Sequence, residues 1–525
     1  MESLAEFKGS SSVYNADVGS MAGGQISMVT RSGGNQFHGS FYEYLRNSYF
    51  DASFWGTPGV SPFKMNQFGV SVGGPIIRNK LFFFTNYEGV QQAYQQVLQA
   101  TVPSPAFRSA VLAASPALGF ILDAYPQGGS PTIDPNGNLW STNTSAPQTE
   151  NSGLIRVDYT LNSKTNITGR FNNDQYLATS SALAEDTLTS TSTPNAMIEV
   201  QHTFSPTILN VAQIAFNRDN YEDVGRNVKE RYTVSITGLS SLSLGDHSIR
   251  IDNSFSFLDN ATYYHGRHTL KGGMEVRHMQ EHNEHPWLEE SLTYTNEQNF
   301  ANNVLDSYTD APGKPANMPR KTPVLVYGMD ELKLRRNLTL NAGLQYEFYS
   351  SGINKAPGAV VFDPFTCAWQ QPTGPYCPAG FSGYNANWLD FMPRISLNWA
   401  PEVFRGKTAI RSGFGIFFDD SQPNGGPPSL PSTGNFSLSA SNITGLTYPV
   451  TPFLGSAAAA APTYSGRNRN RKDVDVEEWT LSVQQVVARE TTLTVGYLGT
   501  KGTHLLSGTT LNGIDPGTKT RPYGS

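Results

Sequence analysis

The chain has 525 residues, of which 37 are Lys or Arg and 43 are Asp or Glu, so its formal net charge is −6. Only 15% of the residues are charged and 11% are aromatic, which excludes a disordered chain and argues against a nucleic-acid partner, because a nucleic-acid binder carries a clustered basic surplus. No apolar run approaches the ~18 residues of a membrane-spanning helix, whereas a β-barrel is compatible with this composition.

Alternation of apolar and polar residues with a period of two is the dominant pattern along the chain. It is clear in four segments, which are 155–161, 270–277, 338–348 and 410–418. Such alternation is typical of a strand that separates lipid from a polar interior. Helical periodicity is confined to residues 106–125, where we predict short helical turns that break at Pro116.

About fifteen candidate strands have the ~10-residue length of a barrel wall. Very short turns alternate strictly with long connections between them. The short turns include residues 162–165, 205–207, 334–337 and 488–490, and the long connections include residues 93–150, 282–321, 352–390 and 420–473. An outer-membrane barrel sorts its connections in this way, with tight periplasmic turns and large external loops. The sequence therefore predicts an all-β fold, a transmembrane antiparallel β-barrel.

We expect the chain to be truncated at both ends. The first twelve residues, MESLAEFKGSSS, lack the basic start and the apolar stretch of a secretory signal. The last twelve, IDPGTKTRPYGS, lack the aromatic-ended strand that would finish a barrel, and an odd strand count does not close a single-chain bacterial barrel.

Six blocks of the sequence resemble TonB-dependent outer-membrane receptors of the Oar-like branch. The block GGQISMVTRSGGNQFHGSFYEYLRN at residues 23–47 resembles the junction between the plug and the first barrel strand of that family. The other blocks follow in barrel order at residues 66–89, 267–277, 327–347, 392–419 and 477–506. The resemblance covers nearly the whole chain.

The resemblance implies a barrel of the 22-strand type, of which this chain holds a part. Residues 1–36 would be the carboxyl-terminal remnant of the plug, and residues 37–525 an incomplete barrel without its closing strands. Polar residues on the inward positions of the strands are predicted to line the lumen, where they are paired, solvated or facing the plug. These residues are Arg156, Asp158, Arg170, Lys271, Glu275, Arg277, Glu347 and Arg411.

The resemblance also implies a function in the outer membrane of a Gram-negative bacterium. The first hypothesis is uptake of a ligand too large or scarce for porins, such as an oligosaccharide, peptide or metal chelate. The TonB–ExbB–ExbD complex would energise it through an amino-terminal region outside this chain. The alternative is an Oar-like surface protein for adhesion, protein export or membrane organisation without nutrient uptake. Outer-membrane lipid and lipopolysaccharide are the other expected partners.

A third interpretation, a secreted enzyme on a β-sandwich, requires an acid pair or a catalytic triad. The GVSVG motif at residues 69–73 has the spacing of a nucleophile elbow, but that motif needs a strand, a sharp turn and then a helix. Ser71 lies inside an alternating strand. We therefore predict neither an enzyme nor a cofactor.

Three further features of the sequence suggest a metal site, a disulfide and a lipid contact, and each has a simpler alternative. A dense group of metal-ligand types consists of His278, Glu281, His282, Glu284 and His285. On a strand, His278 and His282 lie ~13 Å apart, too far to share one metal, whereas His282 and His285 converge if the segment past Met279 leaves the strand. A solvated loop rim is favoured over a metal or substrate contact. Cys367 and Cys377 lie in one predicted external loop, and we predict a disulfide between them, since the periplasm is oxidising. The basic run at residues 467–472 is solvated or contacts lipopolysaccharide.

Overall fold

The structure is a computed structural model. It describes residues 2–11, 15–17, 19, 24–53, 55, 59–226, 232–244, 247–285, 289–311, 314–356, 361–362, 376–377, 385–419, 438–440, 443–444, 470 and 472–505. None of the helices in this part of the chain has the length and apolar character needed to cross a membrane.

Antiparallel strands dominate the described residues. An amino-terminal hairpin consists of β1 (Leu4–Ser11) and β2 (Gly24–Thr30). Fifteen long strands follow it, and they are β3 (His38–Asn47), β4 (Phe63–Ile77), β5 (Leu81–Pro103), β6 (Gly137–Asn162), β7 (Thr165–Ser181), β8 (Asn195–Ser205), β9 (Ile208–Arg226), β10 (His247–His265), β11 (His268–His285), β12 (Val324–Arg335), β13 (Leu338–Phe348), β14 (Phe391–Trp399), β15 (Thr408–Asp419), β16 (Val474–Ala488) and β17 (Thr491–Thr503).

The fifteen long strands belong to one sheet, in which each pairs antiparallel with the next along the chain. Five short strands complete this 20-stranded sheet, and they are Ser130–Pro131, Asp186–Ser192, Lys314–Asn317, Pro319–Lys321 and Ile353–Asn354. A separate two-stranded sheet pairs Val361–Phe362 with Tyr376–Cys377. The predicted all-β barrel fold with about fifteen strands is confirmed.

Short and long connections alternate as predicted. The hairpins β6–β7, β8–β9, β10–β11 and β12–β13 each close with two residues between the strands. In the β10–β11 turn, Gly266 has a φ of +60°, a conformation that glycine adopts without steric cost. Tight turns of this kind fix the register of the strands on either side.

The bounds predicted for the connection at residues 93–150 were wrong. β5 continues to Pro103 and β6 begins at Gly137, so the connection is residues 104–136. The physical reason is that these strands extend beyond the apolar band of the wall. In QQAYQQVLQA at residues 91–100, half of the residues are Gln and they do not alternate with the apolar ones, so the period-two signal is lost while the strand pairing continues.

The long connections fold into a structured unit that we call the loop cap. It contains three helices, which are α1 (Pro105–Ala114), α2 (Gly119–Ala124) and α3 (Glu297–Ala301). It also contains a five-stranded sheet formed by Tyr232–Ile236, Leu242–Ser243, Glu289–Tyr294, Ser307–Ala311 and Leu438–Ala440. The helical turns predicted at residues 106–125 are confirmed, and the break at Pro116 is a 3-10 turn, Pro116–Leu118. Two more 3-10 turns, Ser48–Phe50 and Glu402–Phe404, lie outside the loop cap.

The loop cap has its own apolar core. Val111, Leu118, Val234, Tyr294 and Phe300 are fully buried in one cluster that draws on three different long connections. The barrel wall has less need of such a core, because its apolar side chains face the membrane. The sequence predicted only short helical turns at residues 106–125 within these connections, so this shared core is a feature that the sequence did not reveal.

One arginine ties the chain segments of the loop cap together. The guanidinium of Arg108 donates to the backbone carbonyls of Pro103, Leu122, Tyr125 and Pro126, at 2.6–3.2 Å. Leu122, Tyr125 and Pro126 lie at or just beyond the carboxyl end of α2, where the last carbonyls of a helix need donor partners from outside the regular helix pattern. A half-buried cation with four acceptors fixes α1 against α2.

Candidate functional site

All eight residues predicted to line the lumen lie on one face of the sheet. Cross-strand partners share a face, so the registers can be followed from strand to strand. They link in turn Arg156, Arg170, Met197, Ala215, Ser256 and Arg277. Asp158, Lys271 and Glu275 share this face by alternation along their strands.

The same face continues through the later strands. Glu275 pairs with Leu325, and Leu325 pairs with Glu347. On the next strand, β14, Arg394 joins this face because it pairs with Gly343, which alternates with Glu347 along β13. Its other partner is Gly415 of β15, which shares a face with Arg411. We call this surface the inner face. That its residues line an open lumen stays a prediction.

Three cations on the inner face hold the amino-terminal segment of the chain. Arg156 donates through Nη1 to the backbone carbonyl and Oγ1 of Thr30, at 2.9 and 3.0 Å. Lys271 Nζ donates to Asp17 Oδ2 at 2.6 Å. Because the two cations lie on strands far apart in the sheet, the sheet curves around this segment.

The third cation, Arg394, is buried and was not identified from the sequence. It donates to the backbone carbonyls of Asn15 and Gly19, at 2.8 and 2.9 Å. Beside it, Ala16 packs against Tyr327 and Met329 of the inner face. The sequence signal was present, since Arg394 occupies an inward position of its strand, but its partners lie 379 and 375 positions away.

The remaining predicted inner-face residues have local partners. Arg156 and Asp158 form a bidentate ion pair, and Arg277 contacts Glu275 at 2.7 Å. Arg170 donates to Asn195 at 2.9 Å, and Arg411 donates to Gln484 at 3.0 Å. Glu347 is 6% exposed.

Carboxylates form a row across three neighbouring strands on the inner face. Asp219 pairs with Asp252, and Asp252 pairs with Glu281. Like charges opposite each other on a sheet repel. Arg250 compensates part of this charge, with contacts of 3.0 Å to Asp219 and 3.3 Å to Asp252. The row lies toward the end of the strands that carries the long connections, and it makes that part of the inner face acidic.

The outer face carries an apolar band with aromatic side chains at both edges. Toward the short turns the edge is formed by Tyr159, Phe204 and Tyr263, and toward the long connections by Phe171, Phe216 and Phe255. Along β10 the band measures about 27 Å, since eight residues at ~3.4 Å each separate its two edges. Strand tilt shortens this distance toward the ~25 Å apolar height of outer-membrane barrels.

Other motifs from the sequence take structural positions. Ser71 lies within β4, is buried and hydrogen-bonds Ser40 Oγ at 2.8 Å, so the context of a nucleophile elbow is missing. His278 contacts Thr322 and His282 contacts Glu284, both at 2.9 Å. Across the described ranges, no group of three or more His, Cys, Asp or Glu side chains is arranged to hold a metal.

Two predictions fall on parts of the chain without a described structure. Cys367 lies outside the described residues and Cys377 is described only as part of a strand, so the disulfide stays a prediction. The basic run at residues 467–472 lies mostly outside the described residues as well.

A family model described as an outer membrane beta barrel domain matches residues 29–525. The chain belongs to this family. It therefore lies in the outer membrane of a Gram-negative bacterium, as the sequence predicted. The TonB-dependent transporter Oar of Myxococcus xanthus is 33% identical over 90 residues, which are 16% of this chain and 8% of Oar.

Solved structures of TonB-dependent receptors share the fold. The outer membrane transporter YddB from Escherichia coli superposes with a TM-score of 0.59 at 12% identity, over 94% of this chain and 56% of YddB. The siderophore receptor PirA from Acinetobacter baumannii gives a TM-score of 0.54 at 9% identity, over 95% of this chain and 57% of PirA. The chain spans a little over half the length of each. The predicted resemblance to TonB-dependent receptors is confirmed.

Two carboxylates of the loop cap have pKa values shifted in opposite directions. Burial, together with the neighbouring Asp134, raises the pKa of Glu297, although Asn136 Nδ2 donates to its Oε2 at 2.6 Å. Hydrogen bonds from the Asn299 side chain and the Thr295 backbone N–H, at 2.7–2.9 Å, lower the pKa of Asp306. Glu297 is the first residue of α3 and Asp306 follows the helix, so both link the stability of this part of the loop cap to pH.

We expect Glu297→Gln and Asp306→Asn to change the loop cap in opposite directions at pH 8. A raised folded-state pKa means that the stability from Glu297 is present at acid pH and lost as pH rises through that pKa, so Glu297→Gln stabilises at pH 8. A lowered pKa means that the stability from Asp306 is present at pH 8 and lost on acidification, so Asp306→Asn destabilises at pH 8.

Hydrogen exchange of strand Glu289–Tyr294, corrected for intrinsic rates, measures both effects. Asp306→Asn should speed exchange by about threefold at pH 8, as for a partly screened ionic interaction, and Glu297→Gln should slow it. Both differences should shrink at pH 4. Shifts of the same sign in the two variants would contradict the assignment.

Proposed function

We propose that this chain is the barrel and plug-side part of a receptor that imports a ligand too large or too scarce for porins. Residues 1–36 are the end of the plug and residues 37–525 belong to the barrel. The observation that carries this proposal is the attachment of the amino-terminal segment to the inner face by Arg156, Lys271 and Arg394. The position of this segment inside the curve of the sheet supports its proposed role as part of a plug.

The work of such a receptor is binding and gated passage, without covalent chemistry. A barrel of this size has a lumen wide enough for bulky solutes, so it must be obstructed when idle. Hydrogen bonds and one ion pair hold the segment, and these contacts break at moderate cost. The TonB–ExbB–ExbD complex supplies the energy that moves the plug, through the amino-terminal region of the full-length receptor.

The acidic part of the inner face, near the long connections, favours some classes of ligand over others. The row of Asp219, Asp252 and Glu281 holds three carboxylates, with Arg250 between them and Lys321 on the same face of the neighbouring strand. An acidic approach lowers the local concentration of anions and raises that of cations. Among the three ligand classes, this favours a peptide or a neutral oligosaccharide over an anionic metal chelate.

Uptake by a strain that lacks this gene tests the proposal. Labelled oligosaccharides, peptides and metal chelates would be supplied singly to the parent, to the deletion strain and to a strain that lacks TonB. We expect one class to enter the parent only, with restoration by the full-length gene. If the deletion strain accumulates every class at the parental rate while the receptor is abundant in the parent, the uptake proposal falls.

A second function, adhesion, protein export or membrane organisation, is supported by the loop cap. Its fully buried Tyr294 and Phe300 give it a core, and a surface with a core can present a fixed epitope to a partner. The same strains discriminate the two functions. Loss of adhesion or secretion, with uptake unchanged, would favour this second function.

A further inference from the structure

An apolar groove of about 700 Å³ opens on the outer face of the sheet, across strands β6 to β11. Two small residues, Gly169 and Ala196, line it between larger side chains. A Cβ added at Gly169 would meet no atom within 4 Å, so the groove is open there. The larger lining residues include Phe171, Ile198 and Phe257, which are 50%, 50% and 43% exposed.

The groove lies in the half of the apolar band that is nearer the long connections. Phe171, Phe216 and Phe255, which form that edge of the band, are among its lining residues. Because the long connections of an outer-membrane barrel are external, the groove faces the outer leaflet. Its lining is almost entirely apolar, and the ring of His278, at one end, already hydrogen-bonds Thr322.

A cation stands at the rim of the groove. Arg218 follows Phe216 by two positions in β9, so it lies on the same face, one step toward the long connections. Its cross-strand partner is Asn253, whose own partner is Gln280, so the rim beside it is polar and uncharged. Arg218 is exposed, and its guanidinium has no ion pair or hydrogen bond with any side chain in the described ranges.

We propose that this groove binds an acyl chain of lipopolysaccharide, with a phosphate group of the lipid on Arg218. A methylene chain fits an open apolar groove. A peptide would need polar side chains in the groove to bind its backbone, and the lining offers none that is available. A guanidinium one step beyond the apolar band lies at headgroup depth, and it pairs well with phosphate. Lipopolysaccharide is the anionic lipid of the outer leaflet. The proposal rests on the outer-membrane barrel and not on the uptake function.

Lipid retention by the full-length protein tests the site. The protein would be purified from outer membranes in a mild detergent, and bound lipid measured by native mass spectrometry. We expect about one tightly held lipopolysaccharide per wild-type barrel. Gly169→Phe fills the groove and should lower this retention by about tenfold, because buried methylene groups supply the affinity. Arg218→Gln should lower it by about threefold, with a greater effect at low salt.

Gly153→Phe is the matched control. Gly153 also lies on the outer face with no atom within 4 Å of an added Cβ, but it does not line the groove. It should retain lipopolysaccharide like the wild type. Heat-modifiable electrophoretic mobility identifies variants that fail to fold. If Gly169→Phe fails to fold, the lipid retention of Arg218→Gln alone tests the proposal. Wild-type retention in the folded variants, or retention of phospholipid or a protein in place of lipopolysaccharide, would overturn the proposal.

Discussion

Val111→Asp is expected to unfold the loop cap while the barrel stays folded. Val111 is fully buried in the core of the loop cap, in the middle of α1. An aspartate there places a carboxylate among apolar side chains, which costs several kcal/mol even when the group becomes protonated. Helix α1 contributes no strand to the barrel sheet, so the wall keeps its ladder of hydrogen bonds.

Limited proteolysis of intact cells that produce the full-length protein measures this effect. Cleavage within residues 104–136 should become at least about tenfold faster in Val111→Asp, because a destabilisation of ~1.4 kcal/mol already changes the unfolded population tenfold. Heat-modifiable mobility of the extracted barrel should be unchanged. The two readouts separate unfolding of the loop cap from failure of the whole protein.

Leu112→Asp is the matched control for this substitution. Leu112 is the next residue of the same helix, but it is 42% exposed and points away from the core. The two variants add the same charge to the same helix at adjacent positions. Equal protease resistance in the two variants would show that the apolar core does not stabilise the loop cap.

The alternating strands could be predicted from the sequence because one physical rule governs them. A wall between lipid and a polar interior requires apolar residues at every second position, and segments such as 338–348 follow it. Where the strands leave the membrane, both faces meet water and the rule no longer applies. This is why residues 93–103 and 137–150 were predicted as loop and are strand.

Alternation along the strands could place the eight predicted residues on one face of the sheet, but it could not predict their contacts, and that these residues line a lumen stays a prediction. Alternation assigns Arg156 and Lys271 to one face, but it does not identify Thr30 or Asp17 as their partners. These contacts depend on how the sheet curves, which is a property of all its strands together. The loop cap could not be predicted for a similar reason. Its core combines residues from three long connections, and each connection alone has little apolar periodicity.

Arg394→Met is expected to detach residues 15–19 from the inner face. The guanidinium of Arg394 makes two charge-assisted hydrogen bonds, to the carbonyls of Asn15 and Gly19, and lies 4.6 Å from the ring centre of Phe417. Methionine keeps much of the volume and loses both hydrogen bonds. Each is worth about 1.5–3 kcal/mol, so local opening should rise by at least about tenfold.

Hydrogen exchange of a peptide that covers residues 15–19, in the full-length protein, measures this opening. Arg411→Met is the control, because Arg411 lies on the same face but is exposed and bonds Gln484. Exchange in this control should match the wild type. Unchanged exchange in Arg394→Met would mean that the packing of Ala16 against Tyr327 and Met329 holds the segment without the arginine.

The contacts that Arg394 and Lys271 make with the segment should differ in their response to salt. Arg394 donates to backbone carbonyls, so these hydrogen bonds do not depend on the side chains of residues 15 and 19. Salt weakens them little because Arg394 is buried. Lys271 and Asp17 form an ion pair at 2.6 Å that is partly exposed, which salt weakens more strongly. Exchange of residues 15–19 in Arg394→Met should therefore become salt-dependent, while the wild type stays nearly insensitive. Because one contact is buried and the other is screened by salt, the segment can detach in steps, and such stepwise detachment is compatible with the proposed plug role.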